Sequence, residues 1–229
     1  MEYAIEVENL KKSFKVGNGY IDILKGLNFN IKKSEFMSIM GPSGCGKSTL
    51  LYILGGLDAS TEGSVKICGK DYKDMSKKEM AKMKRSKLGF VFQFYNLVPN
   101  LSVEDNILLP IMLDGKKRRD FKEELNRILE ITELSEKLKM TPRELSGGQQ
   151  QRVAIARALI FNPEIILADE PIGNLDSKTG KKIMELFRNI NKEFKTTIVQ
   201  VTHSEESSLY GTGVIRMLDG NIKAVESNN

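Results

Sequence analysis

Short apolar runs alternate with longer amphipathic segments along most of the chain. The short runs are rich in Ile, Val, Phe and Met and are bounded by glycine or charged residues, which is typical of buried strands. We predict strands at residues 36–40, 63–67, 88–92, 165–168, 197–202 and 213–218. Residues 3–31 contain further β-rich runs around a turn at Gly17-Asn18-Gly19, and Asp219-Gly220-Asn221 predicts a hairpin near the end.

Segments with helical composition and spacing separate these strands. We predict helices at residues 47–54, 77–87, 103–113, 121–131, 149–160 and 178–194. Strands that alternate with helices favour an α/β fold with a mostly parallel sheet. The consecutive helices between residues 103 and 160 interrupt that alternation, which indicates an inserted helical subdomain within one continuous domain.

Composition excludes several classes of protein. The chain has 229 residues, of which 40% are hydrophobic and 28% charged, as expected of a globular protein. We expect no membrane span, because no apolar stretch approaches ~18 residues. The start, Met1 to Glu6, lacks the apolar core of a secretory signal. Two cysteines and one histidine do not support a disulfide framework or a structural zinc site.

The net charge of +5 is concentrated in one segment. Residues 66–88 hold nine basic and three acidic residues. A solvated helix face accounts for such a run, and a surface near anionic lipid headgroups is a second interpretation. Nucleic-acid binding is a weaker interpretation of this segment, since only Tyr72 interleaves with the basic residues and no stacking platform is present.

A phosphate-loop pattern, G-x-x-x-x-G-K-[ST], lies between a predicted strand and a predicted helix. Glycines there let successive backbone N–H groups point at phosphate oxygens, and the helix adds the positive end of its dipole. The side chain of Lys47 would reach the β- and γ-phosphates, and the hydroxyl of Ser48 would ligate Mg²⁺. The predicted nucleotide site comprises Gly41, Ser43, Gly44, Cys45, Gly46, Lys47, Ser48 and Thr49.

Two carboxylates, Asp169 and Glu170, follow the apolar run at residues 165–168. Adjacent strand residues point to opposite sides, so we expect the two acids to have different roles. Asp169 suits Mg²⁺, directly or through water, and Glu170 suits the attacking water as general base or orienter. Such a pair is usually a surface feature, but the phosphate loop upstream favours the catalytic interpretation.

The segment Leu145-Ser146-Gly147-Gly148-Gln149 places a hydroxyl and two glycines before a predicted helix. Its N–H groups and helix dipole would suit a second anion site, whereas Ser146 could equally be an ordinary helix cap. Composition alone leaves both interpretations open.

The same five residues resemble the signature motif of the ATP-binding cassette (ABC) family. The order of phosphate loop, signature, acidic strand and lone histidine is also that of the family, so the resemblance covers nearly the whole chain. It implies a P-loop NTPase core with a mostly parallel sheet, an N-terminal antiparallel β subdomain and an inserted helical subdomain. One ABC ATPase domain would then span residues 1–229, with residues 94–161 as the helical subdomain and residues 1–93 and 162–229 as the core.

The resemblance also assigns roles to residues that the pattern alone could not single out. Gln93 corresponds to the glutamine that senses Mg²⁺ and the attacking water, and His203 to the switch histidine at the γ-phosphate. Phe14 stands where the family places a ring on adenine. The catalytic residues would be Gln93, Glu170 and His203; the Mg²⁺ ligands Ser48, Gln93 and Asp169; and the further ATP contacts Ser146, Gly147, Gly148, Gln149 and Asp176.

Family resemblance further implies ATP and Mg²⁺ as cofactors and two partners. One is a second copy of the chain, bound head to tail so that two ATP molecules are buried. The other is a set of separate transmembrane permease subunits, which would place the chain on the cytoplasmic face of a bacterial membrane. Three runs, including residues 88–93 and 168–176, resemble the macrolide-exporter and lipoprotein-releasing group.

The role of that complex stays open between export and mechanical work on the cell envelope. A nucleic-acid- or ribosome-acting ABC ATPase is the alternative function. It is disfavoured because the chain has one cassette, no sustained heptads and no cysteine clusters, so no direct nucleic-acid partner is expected. A non-hydrolysing regulatory module fits poorly, since the matched catalytic positions are all present.

Overall fold

A computed structural model of the chain describes residues 2–228. Its strands are β1 Tyr3–Val16, β2 Gly19–Lys32, β3 Phe36–Met40, β4 Glu62–Ile67, β5 Lys70–Asp71, β6 Leu88–Phe92, β7 Ile165–Asp169, β8 Thr197–Thr202, β9 Gly213–Leu218 and β10 Asn221–Ser227. Its α-helices are α1 Lys47–Leu54, α2 Lys77–Lys87, α3 Val103–Leu113, α4 Lys122–Thr132, α5 Gly147–Leu159, α6 Ser177–Phe194 and α7 Glu205–Ser208.

The strands form two sheets. An antiparallel sheet has the order β2-β1-β4-β5, and a larger sheet has the order β10-β9-β3-β8-β7-β6. In the larger sheet β3, β6, β7, β8 and β9 run parallel, and β10 joins the edge antiparallel to β9. The predicted α/β class with a mostly parallel sheet and an antiparallel β subdomain is therefore confirmed.

The parallel sheet brings the chemistry together. All five residues of β3 and all six of β8 are buried, as expected of central strands covered on both faces. Parallel strands present their carboxyl ends at one edge, where ligands bind in open α/β sheets. The phosphate loop follows β3, Gln93 follows β6, Asp169 ends β7 and His203 follows β8. Four separate segments of the sequence thus meet at one edge.

The antiparallel sheet is longer and more continuous than the sequence indicates. The short runs predicted within residues 3–31 are two strands of 14 residues each. They pair from Tyr3 with Lys32 to Val16 with Gly19. The predicted turn at Gly17 is confirmed, with a left-handed φ of 59° that glycine adopts without strain. Bulges along β1 allow the long ribbon to bend over the rest of the core.

Helices α3, α4 and α5 follow one another between β6 and β7, as predicted for the insert. Ile107, Ile128 and Ile155 are fully buried where these helices pack together. Helix α5 begins at Gly147, two residues before its predicted start, because the hydroxyl of Ser146 accepts a hydrogen bond from the Gln149 N–H and caps the helix. The subdomain boundaries at residues 93–94 and 161–162 stay a prediction.

Within residues 2–228, no helix combines the length and the apolarity needed to cross a bilayer.

Candidate functional site

The phosphate loop connects β3 to α1 and is built around glycine geometry. Gly46 precedes the helix with φ 99°, and a Cβ there would lie 2.8 Å from the Leu24 Cδ2. Only glycine fits both the conformation and the space. The Lys47 side chain is buried and folds back over the loop, where its Nζ donates to the carbonyl oxygens of Gly41 at 2.8 Å and Pro42 at 3.0 Å. The ammonium is thus held at the loop.

A cleft of about 290 Å³ opens beside this loop. It is lined by Phe14, Ile23, Gly44, Gly46, Lys47, Ser48 and Thr49. Strand β1 contributes Phe14, whose side chain is 43% exposed and therefore has a free face. The Nζ of Lys12 lies 4.6 Å from the Phe14 ring centroid, a cation–π contact that holds the ring. A flat ring and a phosphate loop thus border one cleft.

Ser48 and Asp169 meet at the end of β7. The Ser48 Oγ donates to the Asp169 Oδ1 at 3.0 Å, and the Tyr52 hydroxyl donates to Oδ2 at 2.8 Å. Both carboxylate oxygens are therefore held from α1. Burial, followed by the Asp169 hydrogen bond, raises the pKa of Tyr52 to about 12, so the phenol is a donor at neutral pH. A hydroxyl beside a carboxylate is a hard oxygen pair that suits Mg²⁺.

Glu170, just after β7, lies beside His203, which follows the neighbouring strand β8. The Glu170 carboxylate lies 2.9–3.0 Å from His203 Nδ1. Glu170 has φ 46°, a left-handed conformation that is uncommon for this residue type. Its N–H donates to the Val201 carbonyl at 3.0 Å, which fixes the turn at the end of β7. The strained turn separates the two neighbouring acids, since Asp169 faces α1 and Glu170 faces His203.

Gln93 is tied to a different segment. Its Nε2 donates to the Asn174 Oδ1 at 3.2 Å, and the Asn174 Nδ2 donates back to the Gln93 carbonyl at 3.0 Å. A Cβ at Gly173 would lie 2.8 Å from the Gln93 Nε2, so the two segments touch. In the same segment Asp176 caps α6, and the hydrogen bonds from Thr179 hold the pKa of its carboxyl below the usual range.

The signature segment is arranged quite differently. Ser146 is exposed, and its N–H donates to the Gln149 Oε1 at 2.9 Å while Gln149 returns the bond to the serine hydroxyl. This is a reciprocal capping box. Gly148 is buried, and a Cβ there would lie 2.4 Å from the Thr179 Cγ2 of α6. The predicted cap is therefore present, and no residue from this segment lines the cleft beside the phosphate loop.

Within the chain, the predicted site residues fall into four groups, of which residues 146–149 at the start of α5 are one. The phosphate loop lies with Phe14 and Asp169, Glu170 lies with His203, and Gln93 lies with the segment that contains Asp176. The described hydrogen bonds do not join Gln93 to Ser48 or Asp169. Sequence reasoning missed Tyr52 and did not predict that Asn174 pairs with Gln93. Tyr52 stands four residues after Ser48, a spacing that predicts the same helix face.

A second groove lies between α2, β6, α3 and α5. Its volume is about 320 Å³, and its lining includes the cations Lys84, Arg85 and Arg157 and the rings of Phe90, Phe92 and Phe161. Phe94, in the loop that follows β6, is 72% exposed. An aromatic floor with a basic rim is suited to an amphipathic segment that carries acidic residues.

Comparison with known proteins gives consistent results. The sequence profile of the "ABC transporter" family matches residues 24–173. The chain is 47% identical over 226 residues to the uncharacterized ABC transporter ATP-binding protein MJ0796 of Methanocaldococcus jannaschii, which covers 97% of this chain and 96% of that protein. It is 47% identical over 222 residues to the lipoprotein-releasing system ATP-binding protein LolD of Aquifex aeolicus, covering 97% of each.

Solved structures agree with the sequence relatives. A dimeric structure of MJ0796 in a post-hydrolysis state, bound to ADP and Pi, superposes with a TM-score of 0.88 at 44% identity, covering 98% of this chain and 99% of that one. CbiO1 from Clostridium perfringens, part of the ABC transporter complex cbiONQ, gives a TM-score of 0.89 at 29% identity over 100% of this chain and 90% of that chain.

Proposed function

This chain belongs to the ABC transporter family as its ATP-binding, ATP-hydrolysing component, and we propose that two copies close head to tail on ATP and pass the work of hydrolysis to separate membrane subunits. Each nucleotide would lie between the phosphate loop of one copy and the signature segment of the other. The MJ0796 relative, dimeric with ADP and Pi, supports this assembly.

One observation carries the proposal. The cleft beside the phosphate loop takes its lining from β1, β2, the loop and α1, and none from residues 145–149. The signature segment has the N–H groups and helix dipole of an anion site, yet Ser146 is exposed. A second copy would bring the two half-sites together, with Ser146, Gly147, Gly148 and Gln149 meeting the nucleotide of the partner.

Within one copy, the residues divide the work of hydrolysis. The Phe14 ring would stack on adenine, and Lys47 would exchange its two carbonyl partners for phosphate oxygens. The Glu170 carboxylate would orient and deprotonate the attacking water, and His203 beside it would contact the γ-phosphate. Gln93 would contact that water, and Asp176 would lie close to the partner copy.

The residues present also fit Mg²⁺. Ser48 Oγ and Asp169 Oδ1 lie 3.0 Å apart and are oxygen donors of the kind this cation prefers. The cation held there would supply positive charge against the negative charge that develops on the phosphate during transfer. Gln93 would join these ligands once its side chain left Asn174. We propose Ser48, Asp169 and Gln93 as the residues that hold the ion.

The groove with the basic rim is the proposed contact for the membrane subunits. The adjoining loop at residues 94–101 exposes Phe94 and Val98. A short amphipathic helix with acidic residues would place apolar side chains on the phenylalanines, and its carboxylates would exchange with the Gly56 carbonyl at Lys84 and with Asp114 at Arg85. We place the chain at the cytoplasmic face of the membrane on this basis, with LolD as a relative named for a lipoprotein-releasing system.

Glu170→Gln tests the proposal. The amide keeps the shape of the side chain but cannot accept a proton, so hydrolysis should fall about 10²–10⁴-fold while ATP still binds. The variant should therefore accumulate as an ATP-bound dimer, measured by size-exclusion chromatography with light scattering. The matched control is Glu193→Gln, which alters an exposed acid of α6 that pairs with Arg127 of α4.

The control should hydrolyse ATP like the wild type and should not accumulate as a dimer. A Glu170→Gln protein that binds ATP, fails to hydrolyse it and stays monomeric would refute the head-to-tail dimer. One that hydrolyses ATP at the normal rate would instead refute the role of Glu170.

A further inference from the structure

Two consecutive residues after Gln93 have left-handed backbones. Tyr95 has φ 61° and Asn96 has φ 49°. Asparagine tolerates this conformation, but an aromatic residue adopts it only where the surrounding structure holds it. The segment lies in a loop that separates β6 from α3, so no ladder or helix fixes it. Two local hydrogen bonds close the turn, from the Tyr95 N–H to the Phe92 carbonyl at 3.1 Å and from the Asn96 N–H to the Phe94 carbonyl at 2.6 Å, which leaves the carbonyls of residues 95 and 96 to tertiary contacts.

Arg157 of α5 supplies those contacts. Its Nη1 donates to the Asn96 carbonyl at 2.6 Å, and its Nη2 donates to the Tyr95 carbonyl at 2.8 Å. The planar guanidinium therefore spans both left-handed residues with two nitrogens of one rigid fork. Burial lowers the pKa of Arg157 from its ordinary value, consistent with its enclosed position. A lysine ammonium carries its three donors on one nitrogen and would not reproduce the spacing of this two-nitrogen fork.

The clamped loop touches the signature helix as well. A Cβ at Gly147 would lie 2.9 Å from the Tyr95 hydroxyl, so the phenol packs directly against the first turn of α5. At its other end the loop continues from Gln93, whose side chain pairs with Asn174. Only Phe94 separates Gln93 from the two residues that Arg157 holds, which leaves little slack. Moving the carbonyls of residues 95 and 96 would therefore displace Gln93.

We infer that Arg157 is a positioning residue, which holds Tyr95 and Asn96 in their left-handed turn and through them places Gln93 for hydrolysis. The inference rests on the proposed role of Gln93. It also assigns a second task to the groove, because Arg157 and Asn96 both line it. A partner segment bound there would contact Arg157 and Asn96 directly. It would thereby change the position of Gln93 without touching the nucleotide.

The test compares two arginines on one helix. Arg157→Lys removes the fork, whereas Arg152→Lys alters an arginine of α5 that bonds the Thr132 carbonyl at 3.1 Å and pairs with Glu133. For Arg157→Lys we expect kcat to fall roughly ten-fold and the KM for ATP to stay within about two-fold, since Phe14, Lys47 and Ser48 are untouched. Arg152→Lys should leave both constants close to the wild type.

A double-mutant cycle with Gln93→Ala separates positioning from general damage. If Arg157 acts through Gln93, Arg157→Lys should lower kcat no further in the Gln93→Ala background. Additive losses, or equal losses in Arg157→Lys and Arg152→Lys, would overturn the inference. If Gln93→Ala itself leaves kcat unchanged, the proposed function of Gln93 fails instead.

Asn96→Val approaches the clamp from the loop side and covers the case in which Arg157→Lys does not fold. The Asn96 side chain is exposed, and a β-branched residue strongly disfavours the left-handed backbone. The variant should lower kcat with little change in KM, and it too should have no effect once Gln93 is alanine. An unchanged kcat in Asn96→Val would overturn the inference.

Discussion

The phosphate-loop region and the signature segment are both helix N-termini with glycines, yet they are organised in opposite ways. At the phosphate loop, Lys47 is buried, and Ser48 and Tyr52 of α1 donate to a carboxylate on β7. The interactions are long-range and converge on a cleft. At the signature segment, the polar groups of Ser146 and Gln149 satisfy each other within one helical turn. Ser146 is exposed, and residues 145–149 do not line the cleft beside the phosphate loop.

This difference separates two kinds of binding surface. The first is organised within one copy of the chain and, in the proposed function, would receive phosphates before a partner binds. The second is an exposed edge held by its capping box, and in the same proposal it would contact the nucleotide bound to another copy. Substitutions in the first region should therefore damage nucleotide binding, whereas substitutions in the second should spare it.

Lys47→Ala should have the largest effect. It removes a buried cation from the proposed β- and γ-phosphate contacts, and the loss of one partner from such a charge pair weakens binding about 10²–10³-fold. ATP affinity, measured by fluorescence titration, should fall by this factor, and ATPase turnover should be largely lost. Lys11→Ala, which alters a half-buried lysine paired with Glu62, should change neither. Normal turnover in Lys47→Ala would contradict the phosphate-loop interpretation.

Gly148→Ala tests the second region and should have an intermediate effect. The added Cβ would lie 2.4 Å from the Thr179 Cγ2, so the Thr179 side chain must turn away or α5 and α6 must shift. We expect a loss of about 1–3 kcal/mol in the free energy of unfolding, measured by urea denaturation. ATP affinity of the single copy should not change, because Gly148 does not line the cleft.

Thr179→Ser supplies the matched rescue for that variant. It deletes the clashing methyl group and keeps the N–H that bonds to Asp176. The double variant should recover much of the lost stability. If Gly148→Ala weakened ATP binding to the monomer as much as Lys47→Ala does, the contrast between the two regions would be wrong.

Tyr52→Phe should have the smallest effect and sharpens the first half of the comparison. It deletes one hydrogen bond to Asp169, which is worth about 1 kcal/mol, so the Mg²⁺ concentration for half-maximal ATPase should shift by roughly five-fold. Tyr72→Phe removes a phenol that donates to the Leu54 carbonyl at the far end of α1 and should leave this concentration unchanged. Identical Mg²⁺ curves for the two variants would remove Tyr52 from the site.

The pKa of Tyr52, raised to about 12, adds a second criterion. The phenol stays protonated, and therefore donates to Asp169, throughout the range in which ATPase is normally measured. Tyr52→Phe should accordingly lower the apparent Mg²⁺ affinity by the same factor at pH 7 and pH 9. A loss confined to one end of that range would point to a different titrating group.

Local sequence was enough to predict most of the elements and the chemistry at their ends. Glycine spacing identifies the phosphate loop, and the apolar run before Asp169 and Glu170 identifies a buried strand that ends in two acids. These signals are readable because each depends on residues that are close together in the chain. Capping is equally local, and the cap at Ser146 is the reason that α5 starts two residues before the predicted position.

Only the tertiary structure decided which of these groups meet. The insertion of β3 between β8 and β9 brings the phosphate loop, the acids and the histidine to one edge, although their strands are far apart in sequence. The left-handed turn that aims Glu170 at His203, and the fork of Arg157 on residues 95–96, depend on contacts between distant segments. Such pairings leave no periodicity in the sequence, because the energy that fixes them arises only when the sheets and helices have packed.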